Sequence, residues 1–282
     1  MLARRISPNQ IVRLDSIPTD DTGDLSKDEA QERLKDLGKE VGDLQELLFA
    51  AGDHSLLIVF QGMDTAGKDG AINRILEYVN VQSCRVSSFK VPTPIELAHD
   101  FLWRVHAVAP PKGSIGIFNR SHYEDVLVVR VKQLVPEAVW RARYEQINAF
   151  ESLLSSSDTI VVKFFLHISK KEQEERLLAR EQDVEKAWKL SVGDWKERER
   201  WDDYQRAYEE AIARCSTEHA PWYVVPADKK WARDLAVAEV LAETLRPYRE
   251  PWLTQLASVG EKARAELAAY RAELAQSAQA SR

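Results

Sequence analysis

The 282-residue sequence predicts an α/β protein in which helices cover both faces of a five-stranded parallel sheet. Five strand-like segments, most of them apolar, alternate along the chain with segments whose apolar residues recur at helical spacing. The first strong run, residues 56–60, leads directly into a glycine-rich segment and then into a helix-like pattern. Strands that alternate with helices form parallel sheets, so these observations predict three layers, helix, sheet and helix.

Composition divides the chain into an arm, a central domain and a tail. Residues 1–24 are polar and rich in turn-forming residues, which predicts an extended N-terminal arm. Residues 25–252 contain the alternating strands and helices of the central domain. The tail, residues 253–282, is rich in Ala, Glu and Arg, and we expect it to be helical.

The elements of the central domain follow from their apolar patterns. Residues 25–51 have leucine and valine at spacings of three and four, and Ser26 followed by Glu29 is a capping box that starts this helix. Continuous apolar runs such as 56–60 are typical of strands covered on both faces. The remaining predictions, in chain order, are helix 71–78, strand 85–89, helix 95–105, strand 114–118, helix 136–154, strand 159–168, a charged helical segment 169–214, strand 222–226 and helix 230–245.

The segment from Gly62 to Gly70 has the spacing of a P-loop, with Gly62, four residues, Gly67 and Lys68. In such a loop, backbone N–H groups form a concave anion site at the positive N-terminus of a helix, and the lysine adds a charge for the outer phosphates. The fold is therefore predicted to be P-loop kinase-like, three-layer α/β/α. The loop residues expected to bind phosphate or nucleotide are Gly62, Thr65, Ala66, Gly67, Asp69 and Gly70.

Two carboxylates depart from the usual loop. Asp69 follows Lys68 where a serine or threonine hydroxyl would normally bind Mg²⁺, and Asp64 lies inside the loop itself. A carboxylate among phosphates is repulsive unless a divalent cation lies between them. Asp64 is therefore predicted to position a metal ion, Mg²⁺, or to accept a proton. The alternative is a tight strand-to-helix turn that binds no ligand.

Strand 114–118 ends at Asn119, where a second P-loop motif normally places a carboxylate for Mg²⁺. A neutral amide oxygen is a weaker ligand, which favours Asp64 as the metal contact. Arg120 is expected to bind phosphate oxygens in a bidentate manner, and the alternative is an ion pair with an acidic residue of the following turn. Because the carboxyl ends of parallel strands share one edge, four residues should line one cleft: Asp64, Lys68, Asn119 and Arg120.

The charged segment 169–206 is predicted to be a helical lid, because it lies between the fourth and fifth strands. It also has three tryptophans, too many large rings for a purely solvated face: Trp188, Trp195 and Trp201. A lid that closes basic side chains over phosphates neutralises charge and excludes water. The alternative to a lid is a solvent-exposed helix whose charges form intrahelical ion pairs. The basic residues expected to contact phosphate are Arg176, Arg180 and Lys189 in this segment and Lys90 after the second strand.

Composition limits the partners and the compartment. The formal net charge of −6 argues against general binding to nucleic acid or to anionic membrane. Cys84 and Cys215 have no metal-binding spacing and are expected to be reduced thiols of a cytosolic protein. The first residues lack an apolar signal core, so a cytoplasmic location is expected.

Four segments of the chain together resemble family-2 polyphosphate kinases: residues 62–70, 118–125, 188–204 and 216–228. The likeness runs from about Leu25 to Arg249. It implies Mg²⁺-dependent, reversible phosphoryl transfer from inorganic polyphosphate to nucleoside mono- or diphosphates such as AMP, ADP, GMP and GDP. It also implies a homo-oligomer, dimer or tetramer. The residues that fall at the family's catalytic positions are Asp64, Lys68, Asn119, Arg120 and Arg180.

Some members of the family have Asp where this chain has Asn119, and the difference implies that monophosphates are accepted as well as diphosphates. Two other functions remain open at this stage. One is an ATP-dependent nucleoside monophosphate kinase of the same fold. The other is a non-catalytic nucleotide-binding switch, since residues 64–67 imitate a GTPase Asp-x-x-Gly motif. That motif lies inside the phosphate loop, however, and the sequence has no Asn-Lys-x-Asp guanine motif.

Overall fold

A computed structural model of the chain describes residues 1–280, apart from the side chains at positions 186, 187, 189, 274, 275 and 278–280. Its strands are β1 Arg4–Ile6, β2 Ser55–Gly62, β3 Cys84–Ser88, β4 Ile115–Asn119, β5 Thr159–His167 and β6 Trp222–Pro226. Its helices are α1 Lys27–Ala51, α2 Lys68–Leu76, α3 Pro94–Leu97, α4 Trp103–His106, α5 Val128–Val131, α6 Glu137–Ser156, α7 Lys170–Gln182, α8 Val192–Glu199, α9 Trp201–Cys215, α10 Lys230–Leu245 and α11 Arg249–Ala280.

The sheet is mixed and has six strands in the order β1-β6-β5-β2-β4-β3. The five strands from β2 to β6 are parallel to their neighbours, whereas β1 is antiparallel to β6. The prediction of a five-stranded, purely parallel sheet was therefore wrong. The missed strand has three residues, two of them arginines, so it carries no alternating pattern of its own. It forms because the edge of β6 offers backbone hydrogen-bonding groups to the N-terminal residues.

The N-terminal segment is bound to the rest of the chain well beyond β1. The Leu2 N–H donates to Glu239 Oε2 at 2.9 Å, and the Leu14 N–H donates to Glu209 Oε1 at 2.8 Å. Farther along, the Asp228 N–H donates to the Thr19 carbonyl at 3.0 Å. These contacts satisfy backbone groups of a mostly irregular segment, which contains β1 and a short 3₁₀ helix, Leu14–Ser16.

Helix α1 confirms the capping box predicted from sequence. The Glu29 N–H donates to Ser26 Oγ, and the Ser26 N–H donates back to the Glu29 carboxylate. Gly52 ends the helix in the left-handed conformation, with φ 69°. The apolar face of α1 packs mainly against α10.

Strands β2 and β5 form the centre of the core. Every residue of both strands is buried, which fits strands covered by helices on both faces. Burying a leucine or phenylalanine side chain contributes about 2 kcal/mol each, so these strands hold the sheet in place. They also fix the strand end from which the phosphate loop leaves.

The single helix predicted for residues 95–105 is wrong. The structure has two short helices there, α3 and α4, and the Asp100 carboxylate caps the turn between them by accepting from the Leu102 N–H at 2.9 Å. Within α3, Ile95 and Leu97 are 68% and 69% exposed, so this short helix does not turn an apolar face toward the core. Of the helices that the structure describes, none combines the length and apolarity needed to cross a membrane.

Candidate active site

The phosphate loop joins β2 to α2 through three residues with positive φ: Gly62 at 155°, Thr65 at 63° and Gly67 at 100°. Glycine is required at two of these positions by close approach as well as by backbone angle. A Cβ on Gly67 would lie 2.2 Å from Nη1 of Arg233, and one on Gly62 would lie 2.8 Å from the Leu166 carbonyl oxygen. The sequence therefore dictates a tight turn that leads into the N-terminus of α2, the end of a helix that favours anions.

Lys68 is the first residue of α2 and is buried beneath the loop. Its Nζ donates to the carbonyl oxygens of Gly62 at 2.8 Å and Met63 at 3.2 Å. Burial, and then the nearby Arg120 guanidinium, lowers the pKa of Lys68 to about 8. The ammonium group is thus held against the loop backbone, where it can turn toward a bound anion.

Asp64 and Arg120 contact each other across the mouth of the loop. Nη2 of Arg120 donates to Asp64 Oδ1 at 2.6 Å, and Nη1 donates to Glu124 Oε2 at 3.3 Å. Arg120 has φ 61°, a left-handed conformation that turns the chain sharply at the end of β4. Convergence of the two residues, expected from strand order, is what the structure shows. The alternative pairing of Arg120 with Glu124 is present as well.

Asn119 ends β4 and contacts the first turn of α2. Its Nδ2 donates to Asp69 Oδ1 at 2.8 Å. With the amide nitrogen used in this way, the amide oxygen is the atom suited to a cation. Strand β4 pairs directly with β2, in which Phe60 lies opposite Asn119. The four residues predicted to line one cleft therefore lie at one edge of two neighbouring strands.

The donor set at this edge fits Mg²⁺ that is shared with a substrate. In the described part of the chain, no three or more His, Cys, Asp or Glu side chains form a group that could hold a metal by themselves. Magnesium in phosphoryl-transfer sites commonly uses one or two protein oxygens together with phosphate oxygens and water. The Asp64 carboxylate and the Asn119 amide oxygen meet that requirement.

Arg176, on α7, braces the phosphate loop. Its Nη1 donates to the carbonyls of Thr65 and Ala66 at 2.9 Å and 3.1 Å. Its Nη2 donates to the carbonyls of Ala227 and Asp228, and its Nε donates to a carboxylate of its own helix. Each nitrogen of the guanidinium thus has a partner, which supports a bracing role rather than the expected phosphate contact.

Arg180 lies one turn farther along α7 and faces the cleft. Its Nη1 donates to Asp194 Oδ2, on α8, at 2.9 Å. Burial raises the pKa of Asp194, and the negative charge of Asp64 raises it further, so the two carboxylates lie near each other. The predicted lid residues therefore include one arginine that holds the loop and one that points toward the site.

Lys90, another residue predicted to bind phosphate, is not brought into this cluster. Lys90 is exposed after the end of β3, and its carbonyl oxygen accepts from Arg104 Nη1 at 2.9 Å. The sheet order places β3 at the edge, separated from β2 by β4. The side chain of Lys189 lies outside the described residues.

The family model for polyphosphate kinase 2 (PPK2) matches residues 24–251 of the chain. The chain belongs to the polyphosphate kinase 2 family. The resemblance drawn from the sequence motifs is therefore confirmed.

Individual members of the polyphosphate kinase 2 family are similar over most of their length. An AMP/ADP-polyphosphate phosphotransferase of Meiothermus ruber is 51% identical over 243 residues, which cover 86% of this chain and 91% of the relative. An ADP-polyphosphate phosphotransferase of Rhodopseudomonas palustris is 47% identical over 232 residues, covering 78% and 80%. The crystal structure of polyphosphate kinase 2 from Arthrobacter aurescens TC1 superposes with a TM-score of 0.82 at 42% identity, covering 84% of this chain and 86% of that one.

Sequence reasoning missed one residue that contacts the phosphate loop, Arg233 of α10. The side chain is buried, and its Nη1 donates to the Gly67 carbonyl at 3.1 Å. Asp234 Oδ1 accepts from its Nε and Nη2 at 2.9 Å and 2.6 Å, which orients the guanidinium. Arg233 thus places a positive charge behind the anion loop. Nothing in the local sequence signals this role, because the two residues are 166 positions apart.

Three further residues around the cleft were also missed as site candidates: Glu124, Asp194 and Tyr208. Burial raises the pKa of the Tyr208 phenol, and the charge of Glu124 raises it further, so the hydroxyl stays protonated. Tyr208 belongs to α9, and Asp194 belongs to α8. Their helical spacing is ordinary, so only the folded chain shows that they face the loop.

A buried polar cluster lies behind the segment that carries Arg120. Glu151 Oε1 accepts from the Tyr123 hydroxyl at 2.9 Å and contacts His122 Nε2 at 3.1 Å. The ammonium of Lys163 pairs with Glu151 and donates to the Cys215 carbonyl at 2.7 Å. His122 and Tyr123 thus contribute packing and hydrogen bonds behind the segment that carries Arg120.

Proposed function

We propose that this chain catalyses reversible phosphoryl transfer from inorganic polyphosphate to nucleoside mono- and diphosphates, with Mg²⁺. The observation that carries the proposal is the convergence of Asp64, Lys68 and Arg120 at the mouth of a phosphate loop in a member of the polyphosphate kinase 2 family. Lys68 and Arg120 supply positive charge at the N-terminus of α2, and Asp64 supplies a ligand for a metal ion. Together these groups offset the repulsion between two reacting polyanions.

The acceptor range is supported by the relatives. One similar protein is named for AMP and ADP and another for ADP. Asn119 at the end of β4 agrees with a chain that accepts monophosphates as well as diphosphates. We extend the proposal to GMP and GDP, because the residues assigned to the site are suited to phosphate groups and the proposal assigns none of them to a base.

The mechanism needs positioning and charge rather than a strong base. The loop N–H groups and Lys68 hold the phosphates, while Arg120 and Arg180 neutralise charge on the group in transfer. The nucleophile is a phosphate oxygen that is largely ionised at neutral pH, so no side chain has to remove a proton from it. Attack in line with the leaving phosphate oxygen then completes the transfer.

Asp64 and Asn119 would hold Mg²⁺ together with phosphate oxygens. The ion, when bound, reduces repulsion between the two substrates and neutralises charge that develops on the bridging oxygens. Arg120 pairs with Asp64 in the structure, so substrate binding has to exchange this contact for phosphate oxygens on Arg120. The exchange frees the carboxylate and the guanidinium at the same moment.

We propose that residues 169–206 close over the bound phosphates as a lid. The base of α7 is tied to the loop, because Gln173 Nε2 donates to the Asp64 carbonyl at 3.0 Å and Arg176 adds further bonds. Any closing motion would therefore start beyond Arg176.

We also propose that the chain is divided into an arm, residues 1–24, a kinase domain, residues 25–252, and a tail, residues 253–282. We propose further that two or four copies assemble in the cytoplasm.

Product analysis tests the function. The purified chain is offered long-chain polyphosphate and Mg²⁺ with AMP, ADP, GMP or GDP, and nucleotide products are separated by chromatography. The expected result is conversion to the next higher phosphate, with Lys68→Ala as the inactive background. Transfer from ATP to AMP without any use of polyphosphate would instead favour a nucleoside monophosphate kinase. Nucleotide binding by calorimetry without turnover would favour a switch.

A further inference from the structure

Gln61 carries the last side chain of β2, directly before Gly62, where the phosphate loop starts. Its side chain is fully buried, and its Nε2 donates to Ser121 Oγ at 3.2 Å. Ser121 follows Arg120 in the turn after β4, and its Oγ also accepts from the Tyr123 N–H at 3.1 Å. The side chain at the start of the loop is therefore bonded to the turn that carries Arg120.

The backbone of Arg120 is held in a conformation that needs support. Its φ of 61° lies in the left-handed region, which residues with a side chain seldom adopt. Such a conformation costs free energy and persists where the surrounding contacts fix it. The Arg120 N–H donates to the Phe60 carbonyl at 3.0 Å, and Gln61 holds the next residue, Ser121. Two successive residues of β2 thus secure two successive residues of the turn.

The guanidinium of Arg120 is held by a second set of contacts, with the carboxylates of Asp64 and Glu124. Substrate binding, as proposed above, exchanges the Asp64 contact for phosphate oxygens. From that moment the position of the guanidinium depends more strongly on the backbone of the turn. The bonds to β2 then decide where Arg120 meets the phosphates, and a misplacement of about 1 Å can lower a rate by about 10²-fold.

A purely stabilising role explains Gln61 poorly. Its Oε1 is buried and has no hydrogen-bond partner in the part of the chain that the structure describes. Leaving a buried acceptor unpaired costs at least as much free energy as one ordinary hydrogen bond gains. An apolar side chain of equal length would fill the same space without that cost. The presence of an amide at this position is better explained by the placement of the turn than by stability.

We propose that Gln61 is a positioning residue for phosphoryl transfer, which acts by holding Ser121 and, through it, Arg120. Its amide fixes where the Arg120 guanidinium stands once Asp64 has been exchanged for phosphate oxygens. The proposal gives Gln61 no contact with substrate or metal. The inference rests on the proposed function, because it concerns the transfer step.

Gln61→Met tests this role, because methionine matches glutamine in length and volume but cannot donate to Ser121. We expect kcat for transfer from polyphosphate to ADP to fall at least about tenfold, while KM and the midpoint of denaturant unfolding change little. Ser55→Ala is the matched control, since Ser55 Oγ donates to Thr159 Oγ1 at 3.0 Å and forms a buried side-chain bond at the other end of β2. The control should keep the kcat of the wild type.

Double variants test whether Gln61 acts through Arg120. In an Arg120→Lys background, adding Gln61→Met should lower kcat by less than about twofold, because the guanidinium that Gln61 positions is already absent. The added change should be equally small in a Ser121→Ala background, because the contact is already lost. A defect that is only structural would instead multiply with both background losses.

The outcomes separate this inference from the proposed function. An active wild type together with normal kcat in Gln61→Met would overturn the positioning role alone. Losses that multiply fully in the Arg120→Lys background would do the same, and so would a kcat loss in Gln61→Met that is matched by loss of folded protein. A wild type that makes no product from polyphosphate would overturn the proposed function, and the positioning role with it.

Discussion

Lys68 has a proton that burial makes easier to lose. Its pKa falls from the usual 10.5 to about 8, so the ammonium form prevails at neutral pH and is lost as the pH rises through about 8. Bound phosphates favour the charged form of Lys68, because their negative charge attracts the ammonium group. The affinity for a polyanion should therefore decrease on the alkaline side, which is opposite to the trend expected for a site limited by a general base.

The first prediction concerns this pH dependence. Above about pH 8, the KM for polyphosphate should increase roughly tenfold per pH unit in the wild type, because each unit removes most of the remaining charged Lys68. Lys68→Arg keeps its charge over this range and should show a much flatter profile. KM is measured from about pH 7 to pH 9.5 for both proteins. Parallel profiles would show that another group controls the change.

The second prediction concerns Asp64. Asp64→Asn keeps the shape of the side chain but removes the charge that pairs with Arg120 and that would hold Mg²⁺. We expect kcat to fall by about 10²-fold or more and the Mg²⁺ concentration for half-maximal rate to increase. Asp53→Asn, an exposed carboxylate ahead of β2, is the control. Near-normal turnover of correctly folded Asp64→Asn would contradict the assignment.

At the scale of elements, α7 has two arginines one turn apart with different surroundings. Arg176 uses its guanidinium on the backbone of the phosphate loop and of the segment after β6. Arg180 instead pairs with Asp194 near Asp64. Sequence spacing predicts that both share a helix face. It does not predict that one side chain reaches backbone carbonyls and the other reaches the cleft.

The third prediction compares these two residues. Arg176→Lys leaves several loop carbonyls without a donor, so the free energy of unfolding should fall by about 2–3 kcal/mol. Arg180→Lys keeps a positive charge beside Asp194. The free energy of unfolding should therefore change little. The kcat of this variant should fall at least about tenfold, because lysine lacks the bidentate geometry for phosphate. Denaturant unfolding and turnover separate the two effects, and the reverse pattern would refute the assigned roles.

Across the whole molecule, a buried ion pair links the sheet, the helices and the turn that follows Arg120. Burial by itself would raise the pKa of Glu151, but Lys163 and then His122 outweigh it and the pKa is lowered. The stabilisation from this carboxylate is therefore present above its unfolded pKa and is lost as the pH falls into the acid range. The pair joins α6 to β5 and, through Tyr123, to the turn that follows Arg120.

The fourth prediction tests this linkage. Lys163→Met leaves Glu151 buried without its partner and should destabilise the fold by about 3–5 kcal/mol. The double variant Lys163→Met/Glu151→Leu removes both charges and should recover much of that loss, as measured by denaturant unfolding. The Lys163–Glu151 pair also positions the turn that follows Arg120. We therefore expect kcat of the double variant to stay below that of the wild type even though its stability is recovered. Full recovery of kcat would limit the pair to stability.

Much of the fold could be read from local sequence, because its signals lie within a few residues. The spacing from Gly62 to Lys68 specifies the loop, and the pair Ser26 and Glu29 specifies the start of α1. Apolar periodicity was less reliable where the chain is short and exposed. It predicted one helix where α3 and α4 occur, and it gave no sign of β1, whose partner β6 lies more than 200 residues away.

The sequence by itself determined which residue types the candidate site offers: a P-loop spacing with an embedded acid, a lysine, and an arginine after a neighbouring strand. Those features depend on backbone angles and on residue type, which are local properties. Tertiary structure decided which groups meet. Asp64 and Arg120 are 56 residues apart, and Gly67 and Arg233 are 166 apart. Contacts over such distances depend on how strands order themselves in the sheet, and no local pattern records that order.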